Sequence, residues 1–225
     1  YIVLNKKSGI VTHIAPGNYS GTLQNGLYYK YPELSKVPRT GIIHRLDKDT
    51  SGILVVCRNL VSHNLLTQQL QNKKFIKLYH ALVIRNIDKP TVIEEPIGRH
   101  PVNRKKMSIQ SNGRQAISKI KPLTIYKRAS HVEVELITGR THQIRVHLSH
   151  LNNPVIGDTM YGYKKTFFTK NLNLAKTIDP SFFQYLHSYS LSFRDPKTNK
   201  VRTYTADYPQ EYSLLLNELN RENND

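Results

Sequence analysis

The densest polar cluster of the chain is Gly41-Ile-Ile-His44-Arg45-Leu46-Asp47-Lys48-Asp49-Thr50-Ser51-Gly52. An imidazole, a guanidinium, an ammonium and two carboxylates so close together can transfer protons or supply a nucleophile, although the same residue types also make an ordinary surface loop. A second cluster runs from Thr138 through Gly139, Arg140, Thr141, His142, Gln143, Ile144, Arg145 and Val146 to His147, with His150 just beyond. Its histidines invite a metal. No His-Glu-x-x-His pattern or cysteine pair accompanies them, and Arg140 and Arg145 would repel a divalent cation, so the reading is no metal. An arginine near an aspartate is more economical: Arg145 paired with Asp47 would keep that carboxylate ionised and oriented, as a nucleophile or base needs. A third element, Lys77-Leu-Tyr79-His-Ala-Leu-Val83, offers an aromatic that fits a core, or that stacks on an unpaired base beside a basic groove.

The elements that must position these groups follow from periodicity. Tyr1–Leu4 and Ile10–His13 read as short strands, with a helix over Thr22–Tyr29. Gly52–Cys57 is continuously apolar and rich in β-branched residues, which predicts a central strand buried on both faces directly after the polar cluster. Leu60–Leu70 carries Val61, Leu65, Leu66 and Gln69 at helical spacing, and Leu78–Ile84 returns to strand composition. His131–Ile137 alternates, Val132, Val134 and Leu136 against His131, Glu133 and Glu135, as a half-exposed strand does. Thr141 is placed to cap a helix whose His142, Arg145 and Ser149 share one face. Ser188–Phe193 and Val201–Thr205 make a hairpin, and Glu211–Leu219 a closing helix. Without strict βαβ alternation the class is α+β with a mainly antiparallel sheet.

The 225 residues suffice for one sizeable core, and 33 Lys and Arg against 16 Asp and Glu give a net charge of +17, which points to a polyanionic partner. Nine of these cations fall between Arg99 and Arg128 without one acid: Arg99, Arg104, Lys105, Lys106, Arg114, Lys119, Lys121, Lys127 and Arg128. A phosphate-binding surface is the favoured reading and a solvated loop pair the bland one. The single cysteine, Cys57, sits in the apolar run as a small core residue, which suits a reducing compartment. No stretch approaches a membrane span or a signal peptide, so the expectation is a soluble cytoplasmic monomer with no membrane partner.

His44-Arg-Leu-Asp47-Lys-Asp-Thr-Ser-Gly-Ile-Leu-Val-Val56 closely resembles the signature of RluA-type pseudouridine synthases. Gly139-Arg-Thr-His-Gln-Ile-Arg-Val-His147, continued by Asn153-Pro154, Gly157-Asp158 and Tyr161-Gly162, resembles a second motif of that family, and Tyr79-His-Ala-Leu-Val83 a third. The likeness extends from about Leu4 to Tyr204, and Pro96–Pro101 with Arg104–Met107 resembles the branch that modifies large-subunit ribosomal RNA. It implies a pseudouridine synthase fold with a bent, mainly antiparallel sheet, one catalytic domain over 1–225, and a cofactor-free isomerisation that detaches a uracil, turns it and rejoins it through carbon. It further implies that Asp47 is the essential aspartate, attacking sugar or base directly or forming a glycal. Tyr79 would stack on the base and take the last proton, Arg145 pair with the aspartate, and Arg45 fill the gap left by the flipped uridine. His44, Arg99, Arg104, Lys105, Lys106, Arg140 and His142 are the expected RNA contacts, and large-subunit ribosomal RNA or an assembly intermediate the expected partner. Many relatives carry an S4-type RNA-binding domain upstream, and strand-like sequence begins here at Tyr1, so further chain is expected before it.

Other classes fit less well. A catalytically silent RNA-binding or ribosome-assembly factor has no need of a carboxylate in a phosphate-binding groove. A metal-dependent nuclease built on Asp47, Asp49 and His142 lacks a ligand set. A protein-kinase reading of His44-Arg45 and Asp47 fails for want of a Gly-rich phosphate loop and an Asp-Phe-Gly.

Overall fold

In chain order the strands are β1 (Ile2–Lys6), β2 (Ser51–Val56), β3 (Ile76–Ile84), β4 (Thr91–Ile93), β5 (Ile97–Arg99), β6 (Met107–Ile109), β7 (Ser118–Ile125), β8 (Ala129–Leu136), β9 (Leu186–Arg194) and β10 (Val201–Thr205). The helices are α1 (Leu23–Lys30), α2 (Leu60–Gln71), α3 (Gln143–His150), α4 (Leu172–Thr177) and α5 (Gln210–Asn224). The computed structural model describes residues 1–168, 172–178 and 184–224. The chain forms two compact units, one from Tyr1–Lys77 with Ser188–Asp207 and the other from Leu78–His187 with the segment from Tyr208 onward. Among the described residues no helix is long and apolar enough to cross a membrane.

In the first unit β2 is buried at every position and lies between β1 and β9, with β10 completing the hairpin on β9. A run apolar on both faces demands such neighbours. Gly52 is required where β2 begins: its φ is +110°, and a β-carbon there would stand 2.3 Å from the Ser188 carbonyl oxygen. The core gathers Ile53, Val55, Cys57, Leu66, Phe75, Leu191 and Phe193, so Cys57 is the packed residue its setting predicts, and burial pushes its thiol up to about 12. In α2 the apolar spacing misleads, because Leu66 is buried while Val61 and Leu65 are exposed.

The strand expected over Ile10–His13 does not form. Its backbone is engaged elsewhere: Ile10 O accepts from the Lys6 ammonium, and Val11 O and Thr12 O accept the Leu23 and Gln24 amides at the start of α1. Thr22 caps α1 reciprocally with Asn25.

The second unit has the antiparallel order β3-β8-β7-β4. Residues paired across an antiparallel ladder face the same side, which fixes where the helices lie. Tyr79 is opposite Val134, Leu136 opposite Ser118, and the Ser118 hydroxyl meets Gln143 and His147 of α3, so Tyr79 shares its sheet face with α3. His80, His131 and Glu133 point to the other face, where Tyr208 and Tyr212 at α5 pack against the histidines. That cover corrects the half-exposed reading of β8, since His131 is buried rather than solvated. The hairpin β5–β6 forms its own small sheet and packs Ile97, Met107 and Ile109 against Val146 and Tyr161.

Candidate active site

The Asp47 loop begins beside the end of the strand it feeds. Ile42 bridges to Val56, Gly41 O accepts the Cys57 amide, and His44 Nε2 accepts the Val55 amide at 3.0 Å, so an imidazole takes the place of a strand carbonyl. At Gly41 a β-carbon would fall 2.0 Å from the Cys57 carbonyl oxygen, which is why the approach needs glycine. Burial pushes His44 down to about 4, helped by the Lys77 charge and by His13. A neutral ring turned onto β2 sets the loop.

The main chain on both sides of Asp47 is clamped. Thr12 Oγ1 donates to Leu46 O at 2.8 Å, and Lys6 Nζ donates to Lys48 O at 2.9 Å as well as to Lys7 O and Ile10 O. Ser8 Oγ donates to Asp49 O, and the Thr50 amide closes a turn onto Asp47 O. Lys6 is only 2% exposed, and burial lowers it to about 8 against the opposing pull of Asp49 and Asp47. Sequence reasoning missed Lys6. The available signal was its register, since on β1 it follows Ile2 and Leu4 on one side of the pleat, an inward position for a charge. Asp47 itself is partly exposed and Arg45 exposed.

In the second unit α3 starts differently from expectation. Thr141 is exposed and does not cap it; His142, in the left-handed conformation (φ 55°, ψ 21°), precedes the first turn. Gln143 does the polar work. Its Oε1 accepts the Arg140 amide and the Thr138 hydroxyl, and its Nε2 donates to Ile117 O and Ser118 Oγ. The longer amide side chain reaches back over a turn that a threonine hydroxyl cannot span. Arg140 Nε donates to Gln115 O.

The face predicted from spacing, with His142, Arg145 and Ser149, is real and converges on one residue. His142 Nδ1 lies 2.7 Å from the Tyr161 hydroxyl, the Arg145 guanidinium sits 4.8 Å from the Tyr161 ring centroid, and Ser149 Oγ donates to Tyr161 O. The same hydroxyl accepts the Met107 amide at 2.8 Å, so its own proton is available to His142. Tyr161 thereby ties the β5–β6 hairpin to α3. Arg145 is held bidentately by Asp158, Nε to Oδ2 at 2.7 Å and Nη2 to Oδ1 at 3.0 Å, both side chains buried. Asp158 and Tyr161 had entered the sequence reading only as parts of a resemblance. Tyr79 is 7% exposed on the face that carries α3.

His147 is structural: its ring nitrogens meet Ser118 Oγ and Glu95 O. Among the described residues no three His, Cys, Asp or Glu side chains gather as metal ligands. The basic segment separates into two populations. Arg99 lies on β5, and Arg104, Lys105 and Lys106 occupy the turn to β6, which His100 Nδ1 and Asn103 Oδ1 fold by accepting backbone amides. Lys119 instead lies 3.4 Å from Glu135, and Lys121 is registered opposite Glu133. Acids from β8 thus answer part of a run that has none of its own.

Residues 1–150 match the family model described as RNA pseudouridylate synthase. The chain is 39% identical over 218 residues to the ribosomal large subunit pseudouridine synthase D of Buchnera aphidicola subsp. Schizaphis graminum, covering 96% of this chain and 69% of that protein. It is 41% identical over 223 residues to the protein of the same name from Neisseria meningitidis serogroup A, spanning 98% of this chain and 59% of the relative. The fold is shared with human RNA pseudouridylate synthase domain containing 4, at a TM-score of 0.75 and 20% identity over 97% of this chain and 89% of that one.

Proposed function

Because this chain belongs to the RNA pseudouridylate synthase family, we propose that it converts uridines of large-subunit ribosomal RNA to pseudouridine, with Asp47 as the carboxylate that starts the reaction. The bond between the sugar and N1 breaks, the uracil turns within the site, and a bond from the same sugar carbon to C5 forms as the C5 proton leaves. Nothing enters from solvent, so one correctly held carboxylate suffices without a metal or cofactor. The base must leave its stack, at a cost of a few kcal/mol that contacts to phosphate offset. Arg45 fills the vacated position, Tyr79 stacks on the base and takes the C5 proton, and Arg145 supports the aspartate. Arg99, Arg104, Lys105 and Lys106 on the hairpin, with Arg140 and His142 near α3, supply the contacts to RNA. The substrate follows the names of the relatives, both of which act on the large ribosomal subunit.

The observation that carries this reading is the clamp on Leu46 O and Lys48 O, which holds the main chain on both sides of Asp47. Asp47→Asn is expected to lower pseudouridine formation on transcribed large-subunit RNA by about 10³-fold or more while leaving RNA affinity near that of the wild type. Retained turnover in that variant would sink the mechanism, and mapping pseudouridine across total RNA with and without the gene identifies the uridines.

A further inference from the structure

An open cleft of about 440 Å³ lies in the first unit, walled by Gln24 and Tyr28 of α1, by Lys36, Arg39 and Thr40 from the two helical turns that follow, and floored by Leu34. None of these residues entered the sequence motifs. The cleft is joined to the Asp47 loop in three ways. Thr40 is the chain neighbour of Gly41, where the loop begins. Thr12 accepts the Gln24 amide with its carbonyl while its hydroxyl holds Leu46 O, one residue before Asp47. Arg39 Nη2 lies 3.0 Å from His13 Nε2, and the charges of both Arg39 and Arg45 act on that imidazole.

The lining has the chemistry of a nucleotide subsite. Tyr28 is 55% exposed, and Lys36 and Arg39 are exposed cations that line the same cleft. Gln24 and Thr40 add an amide and a hydroxyl, already joined by a bond from Gln24 Nε2 to Thr40 Oγ1, which fixes their orientation. Leu34, fully buried, gives an apolar floor. The nearby acid Glu33 is bonded to Arg58 and so does not oppose an anion. Arg39 and Thr40 are consecutive non-glycine residues in the left-handed region (φ 53° and 54°), a strained backbone of the kind that persists at binding sites because its surroundings hold it there. A ring beside cations suits an unpaired base with its phosphate.

We propose that this cleft holds an unpaired nucleotide of the RNA substrate flanking the flipped uridine, its base stacked on Tyr28 and its phosphate on Lys36 and Arg39. The inference rests on the RNA-modifying function proposed above and adds a subsite to it. The test uses the full chain with Tyr28→Ala, Tyr28→Phe and Lys36→Ala, a transcribed large-subunit RNA for turnover, and fluorescein-labelled hexauridylate for affinity. Tyr28→Ala should raise KM and weaken hexauridylate binding by about tenfold, with kcat at saturating RNA unchanged, and Tyr28→Phe should restore both. Lys36→Ala should reduce the slope of log affinity against log salt by about one. Wild-type KM, affinity and slope in the Ala variants, with turnover intact, overturn the subsite and leave the function standing, as does a fall in kcat at constant KM. A wild-type protein that forms no pseudouridine yet binds hexauridylate through Tyr28 overturns the function and leaves the subsite.

Discussion

The two units hold their candidate site residues by different means. In the first unit Asp47 is fixed through the backbone: Thr12 grips the carbonyl before it and Lys6 the carbonyl after it, and neither spends a bond on the carboxylate. In the second unit Arg145 is fixed through its own side chain, with Asp158 on its edge and Tyr161 beneath its face. Bonds to the neighbouring carbonyls place the loop that carries the carboxylate proposed to start the reaction. A guanidinium can be locked outright, because the lock leaves its positive charge in place and only orients it. The contrast predicts that damage to the side-chain lock falls mainly on stability, and damage to the main-chain clamp mainly on rate.

The largest effect is expected at Asp158. Asp158→Asn removes the buried carboxylate that holds the Arg145 guanidinium bidentately, which should cost about 3–5 kcal/mol in urea unfolding. Unfolding within about 1 kcal/mol of the wild type would mean that Arg145 is supported by other groups, and the contrast would collapse.

Lys6→Met should come next. It removes three bonds to carbonyls, but burial already lowers the ammonium to about 8, so part of what those bonds contribute is offset by the charge they hold. A net loss of about 2 kcal/mol is expected, together with a fall in kcat of about 10- to 100-fold at nearly constant KM as Asp47 loses its placement. A raised KM with kcat intact would show that Lys6 shapes RNA binding and not the loop.

What the sequence made legible was set by periodicity and by local polar density. The β9–β10 hairpin and α5 carry a repeat that suits one kind of element, β2 and β3 are short apolar runs of strand composition, and the Asp47 loop announces itself by crowding polar residues against an apolar strand. Failures occurred where a backbone group found its partner far along the chain. Ile10–His13 has strand composition, yet its carbonyls go to Lys6 and to the start of α1. Lys6 reads as a lysine at a strand end because nothing local says that Lys48 O lies within its reach. Asp158 follows a glycine as turn residues often do, and only the packing of α3 shows that it holds Arg145. Thr141 leaves α3 uncapped and Gln143 ties down the turn before it for a similar reason, since its partners Ile117 and Ser118 lie on β7 and just before it.

The smallest effect bears on the junction between lock and hairpin. Tyr161→Phe keeps the ring under Arg145 and the packing against Ile97 and Val146, and removes only the hydroxyl that joins the Met107 amide to His142 Nδ1. The expected stability loss is therefore about 1 kcal/mol, the net worth of a part-buried hydrogen bond. The effect on function should have a particular form. If the hydroxyl serves to hold the hairpin that presents Arg104, Lys105 and Lys106, KM for RNA rises a few-fold, by an estimate of about 1 kcal/mol in binding, while kcat stays near the wild type because Arg145 keeps both Asp158 and the ring. If kcat falls and KM does not, Tyr161 belongs to the lock and not to the hairpin, and the division between the fixed charge and the RNA-holding surface would have to be drawn on the other side of that residue.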